Sequence, residues 1–155
     1  MANLIITIIC IALTAVVAGM GLNYINTEHF FGKKNYLKIE ADFNNLKASY
    51  DVYVIAKNTK PSVANWQDDL RSVRTNINTS TDIIPQDLFG FTWSYNIVNQ
   101  KPYFCLSGNF DNVVYEGMKE TQKFLSSKPV YINSSCGLRS NADISSGNLA
   151  ITYWM

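Results

Sequence analysis

Few side chains in this sequence can do chemistry: one histidine, His29, and three cysteines, Cys10, Cys105 and Cys136. Proton transfer or nucleophile activation near neutral pH would draw on His29, because imidazole is the side chain that titrates there. It follows an apolar run by seven residues and precedes Phe30 and Phe31, which suits a residue at a membrane surface better. Asp68 and Asp69 are the nearest approach to a carboxylate pair for acid–base work. Adjacent residues on a helix point in different directions, so a solvated face accounts for them more simply. The phosphate-loop, dinucleotide, nucleophile-elbow and zinc-protease patterns are absent, and Gly108, Gly137 and Gly147 read as turn glycines. The residue types therefore predict no catalytic site, no metal centre and no cofactor.

Cys10 lies inside the apolar run, where a thiol behaves as a small hydrophobic group. Cys105 sits in a strand-like segment (YFCLSG) and Cys136 in a turn-like one (NSSCG). Neither has a histidine or second cysteine at metal-ligand spacing, which argues against zinc. Bonded to each other, they would close a loop of about thirty residues and stabilise the fold by roughly 3–4 kcal/mol. Two separate buried thiols are the alternative. The disulfide is the expectation, and it puts the domain in an oxidising compartment outside the cytoplasm.

No charged side chain precedes Glu28, and only Thr7 and Thr14 interrupt the run Leu4 to Leu22. As a helix that run would be about 28 Å long, close to the roughly 30 Å of bilayer hydrocarbon. The expectation is a transmembrane anchor over residues 1–24 and a juxtamembrane linker over 25–35. A cleaved signal peptide is the alternative, but no Lys or Arg precedes the run and Val16-Val17-Ala18 is only a passable site. Ala12, Ala15 and Gly19 fall near one helix face, at a spacing that lets a second transmembrane helix approach. They are candidate interaction residues, or small residues merely tolerated in lipid. Lys33, Lys34 and Lys38 beyond the run favour a cytoplasmic domain, against the cysteines, although that bias is weak for long translocated domains.

Residues 36–155 leave enough chain for one domain with a single core. A net charge of +1 offers no basic groove, so nucleic acid is not an expected partner. Ile39, Phe43, Leu46, Tyr50 and Tyr53 recur at helical spacing and predict an amphipathic helix from about Tyr36 to Ala56. Asn58 to Pro61 breaks it, and Ser62 is placed to cap a second helix with Val63, Trp66, Leu70 and Val73 on one face. Residues 75–87 read as an exposed loop. Phe91 to Val98 and Tyr103 to Ser107 predict a hairpin around Asn99-Gln100-Lys101-Pro102. Asp111 to Leu125 predicts a helix with Val114, Met118, Thr121 and Leu125 inward, although Gly117 counts against it. Val130 to Asn133 and Leu149 to Met155 complete an α+β pattern, with amphipathic helices packed on a small antiparallel sheet. Phe91, Trp93 and Tyr95 share one strand face, which is either an exposed interaction patch or the core side of the sheet.

An anchor, an amphipathic helix and a small sheet domain with a C-terminal disulfide resemble the architecture of type IV pilins. The sequence departs from them in having no basic leader, in Ile5 where pilins carry an acid, and in an apolar segment free of acids. It is closer to the PilM-type family of plasmid-type IVb thin-pilus systems, which is distinct from the actin-like protein of that name. The likeness lies in the N-terminal span, Asn58 to Pro61, Ile84-Pro85-Gln86-Asp87-Leu88, Tyr103-Phe104-Cys105 and the Ser/Gly-preceded Leu149 to Met155. Its motifs are loose, and the Cys105/Cys136 pair is no part of it. The resemblance implies a non-enzymatic accessory component of type IVb pilus assembly in the bacterial inner membrane, single pass, with a periplasmic C-terminal domain. Its partners would be the membrane and other pilus-assembly proteins or pilins, with no small-molecule substrate. A pilin-like subunit within a filament, or a membrane-anchored immunity or ligand-binding module, are the alternatives.

Overall fold

The structure, a computed structural model, describes residues 27–73 and 84–155. Helix α1 runs over Thr27–Lys57 and is followed by the short helix α2, Trp66–Ser72. Strands β1 (Thr92–Val98) and β2 (Lys101–Asn109) form a hairpin, helix α3 spans Asn112–Phe124, and β3 (Val130–Asn133) and β4 (Asn148–Trp154) close the chain. The four strands lie in the order β1-β2-β4-β3, every neighbouring pair antiparallel. The α+β reading of the sequence holds in this part of the chain.

The stripe that predicted α1 is the one that packs. Ile39, Phe43, Leu46, Tyr50 and Tyr53 are all buried against the sheet. The helix starts earlier than expected, so residues 27–35, read as a linker, are helical. The inward face continues backwards through buried Asn35, one turn before Ile39. At the other end Asn58 adopts φ +53 and donates its N–H to the Val54 carbonyl at 2.9 Å, a left-handed stop.

Asp111 caps α3 as expected, its carboxylate accepting from the N–H groups of Val113 and Val114. Gly117, which counted against this helix, is what lets it dock. A Cβ there would stand 2.8 Å from Asn35 Cβ and 3.1 Å from the Gly32 carbonyl, so the two helices cross with glycine at the contact. The hairpin turn is two residues, Asn99 and Gln100, at φ +50 and +63, which matches the twist of the flanking strands. Lys101 and Pro102 therefore belong to β2. Ser62 does not cap α2: its backbone N–H donates to Asp69 Oδ2 at 2.7 Å, and Asn65 stands at the cap position. Val63 is left exposed, while Trp66 and Leu70 are buried.

The expected transmembrane helix is a correction. Among the described residues no helix is long and apolar enough to cross a membrane. Helix α1 has 31 residues, but Lys33, Lys34, Lys38, Glu40, Asp42, Lys47 and Asp51 charge nearly every turn, and each would be costly in hydrocarbon. Helices α2 and α3 have 7 and 13 residues, too few for a span. The run Leu4 to Leu22, with Ala12, Ala15 and Gly19, lies outside the described residues. The single-pass inner-membrane placement with a periplasmic domain depended on that helix and is corrected with it.

Candidate functional site

Strand alternation gives the sheet two faces, and what covers each decides what each can do. Phe91, Trp93 and Tyr95 do share one face, but they are 1%, 7% and 3% exposed. Trp93 meets Phe43 edge-on at 5.0 Å, and Tyr95 lies 5.2 Å from Phe104 and 6.2 Å from Tyr50. The aromatic interaction patch is thus a correction: these rings are core, because the α1 stripe needs a flat apolar bed and aromatic rings supply the most area per residue. Burial, with Tyr50, Asp69 and Tyr53 beside it, pushes the Tyr95 hydroxyl far up, so it stays protonated.

The other residues singled out from the sequence scatter. His29 lies in α1. Asp68 pairs with Arg71 at 3.4 Å, while Asp69 accepts from Ser62 and hydrogen-bonds Tyr53, whose hydroxyl is raised by burial and that carboxylate. The two aspartates therefore hold a turn and do not face each other across a site. Among the described residues no group of three or more His, Cys, Asp or Glu is placed to hold a metal ion.

Cys105 and Cys136 are bonded, with Cα atoms 5.8 Å apart. Cys105 points from β2 to the face opposite α1, where it is buried with Tyr103, Ala150 and Trp154. The bond pins the first half of the β3–β4 connection, from Cys136 to Arg139, onto this second face, while Asn141 to Ile144 turn back to α3 and the helix-side core. Gly137 donates its N–H to Thr152 Oγ1 at 3.0 Å, and its φ of +83 brings the backbone against the Tyr103 ring. The Arg139 guanidinium carbon then sits 4.1 Å from the centre of the Trp154 ring.

Between this connection and the β1–β2 turn lies a cleft of about 310 Å³, lined by Val98, Asn99, Lys101, Gly137, Arg139 and Trp154. Its titratable lining is two cations with no acid. Two other clefts differ in kind. One, about 150 Å³ at the α1–α3 crossing, sets Lys33 against Glu116 and Glu120, and there burial and the nearby Glu40 raise the Tyr36 hydroxyl. The other, about 200 Å³, sets Lys119 near Asp143, with the Lys119 ammonium held charged by Glu116. Sequence reasoning missed Lys101, Arg139 and Trp154, since each lies fifteen or more positions from the next along the chain. The one local signal was Cys136-Gly137, a tethered tight turn two residues before Arg139.

Comparison with models of known protein families, with curated proteins and with solved structures finds no match for this chain.

Proposed function

We propose that this chain is a non-enzymatic accessory component of type IVb pilus assembly that acts through contacts with other pilus-assembly proteins or pilins. The family assignment rests on the sequence resemblance. The contact role rests on one observation: the Cys105–Cys136 bond fixes an irregular connection on the outer face of the sheet. A rigid surface loop of that kind suits recognition, because little ordering entropy is lost when a partner binds. In a strain that carries this gene beside a type IVb pilus cluster, deletion abolishes pili and His29→Ala complements fully. Normal piliation after deletion overturns the assembly role. Failure of His29→Ala to complement, with the protein present at normal level, overturns the non-enzymatic part.

A pilin-like subunit is the second reading, favoured by a long helix laid on an antiparallel sheet with a disulfide in the C-terminal half. Immunogold label distributed along filaments would select it over an assembly role.

A further inference from the structure

We propose that the cleft between the β1–β2 turn and the disulfide-held connection binds a carboxylate side chain from an acidic peptide segment of a protein partner. Assigning the carboxylate to a protein rests on the contact role above. The chemistry of the cleft stands independently of it.

Lys101 and Arg139 line the cleft from opposite sides of the sequence, and no Asp or Glu does. Neither makes an ion pair with a described residue. Arg139 is held over the Trp154 ring, which leaves the guanidinium N–H groups for a planar acceptor. Lys60 adds a third cation on the far side of the turn, donating to the Gln100 carbonyl. Three cations thus gather about the β1–β2 turn, and the cleft lining sets no acid against them. Val98 and Trp154 give the same cleft an apolar wall, suited to the aliphatic stem of a glutamate or to a neighbouring leucine.

The site is also built in advance. The connection that carries Arg139 is tied by the disulfide, by Gly137 to Thr152, and by Asn141 Oδ1 accepting from the Ile132 N–H at 3.0 Å. Asn148 Nδ2 donates to the Ser134 carbonyl at 2.7 Å and closes its far end. A side chain at position 137 would collide with the Tyr103 hydroxyl and lift this segment. A cleft of about 310 Å³ is at the lower end of ligand sites, which suits one or two side chains of a peptide. A nucleic acid would call for a stripe of cations along its backbone, and the lining shows a single pair.

The test uses the full chain with its disulfide intact and follows the Trp154 indole and Gly137 amide signals by NMR. The probes are the capped tetrapeptide leucine–glutamate–glutamate–leucine, its glutamine counterpart, and a single-stranded oligothymidylate. The glutamate peptide shifts both signals at about millimolar concentration, and the glutamine peptide binds about tenfold more weakly or not at all. Arg139→Gln, on an exposed side chain, lowers the affinity about tenfold, and Lys101→Gln lowers it several-fold, about 1 kcal/mol or less by the same conversion. The proposal is overturned by no shift with the glutamate peptide, by equal binding of the glutamine peptide, or by unchanged binding to Arg139→Gln. Preference for the oligonucleotide over the glutamate peptide overturns it too. Because no pilus protein enters this assay, its failure leaves the assembly role standing, and normal piliation after deletion leaves the carboxylate site standing.

Discussion

The two faces of the sheet are held by different forces. On the helix side Phe43 meets Trp93 edge-on at 5.0 Å and stacks on Tyr153 at 5.4 Å, inside a core that takes in α1, α2 and α3. On the other side only Tyr103, Cys105, Ala150 and Trp154 are buried as a cluster, with Tyr131 and Cys136 partly covered. A helix layer can bury enough apolar surface to hold itself in place. A short irregular segment around Cys136, Gly137 and Arg139, flanked by serines, cannot, so a covalent bond and a few hydrogen bonds take over. The lesson is about where recognition can sit. The face closed by area has its side chains spent on packing, whereas the face closed by a tether leaves polar and charged side chains free at its rim.

Breaking the helix side should be the more damaging. Phe43 is fully buried, so Phe43→Ala removes its contacts to both neighbouring rings and is expected to cost about 3–5 kcal/mol. Chemical denaturation reads this directly, and a loss below about 1 kcal/mol would mean that α1 is not the main cover of the sheet. Replacing both Cys105 and Cys136 by Ala is expected to cost about 2–4 kcal/mol in the chain-entropy account. The local consequence separates the two faces. Amides of residues 134–139 should lose hydrogen-exchange protection in the double variant while those of α1 keep theirs. Equal loss in both would mean that the faces are not independent.

The helix side was legible in the sequence and the tethered side was not. Five residues of α1, three of α3 and Leu125 at its C-cap announce themselves by spacing, and all nine are buried. Spacing could also not tell whether Phe91, Trp93 and Tyr95 face core or partner, because alternation fixes which residues share a face and says nothing of what lies over it. The cleft residues were invisible for a different reason. Lys101, Arg139 and Trp154 meet only through a crossover of strands and a disulfide, with no periodic pattern to link them. Gly117 was read as a defect, since helix propensity was the only scale the sequence offered. Tertiary contact reverses its sign: Gly117→Ala, favourable in an isolated helix, is expected to destabilise by about 1–3 kcal/mol because its Cβ would meet Asn35 and the α1 backbone. A stabilising Gly117→Ala would show that the α1–α3 crossing can open enough to admit a methyl group.

The smallest effect concerns charge at the edge of the helix side. Asp42 lies beside the core stripe of α1, its side chain 15% exposed, with Lys38 Nζ at 2.9 Å. Burial raises its carboxyl above the ordinary carboxylate value, and the Lys38 ammonium only partly offsets that. The sign follows from linkage. A carboxyl that holds its proton more tightly when folded favours the fold at pH below its unfolded value of 3.8, and that contribution is lost as pH rises through the higher folded value. At neutral pH Asp42 is therefore a net cost, and Asp42→Asn should stabilise by something on the order of a few tenths of a kcal/mol. Below about pH 3, where aspartate is protonated in either state, the two proteins should unfold at nearly the same denaturant concentration. Paired urea titrations at the two pH values decide it. If Asp42→Asn is the less stable protein at neutral pH, the Lys38 pair outweighs burial, and this rim of α1 is held by charge as well as by area.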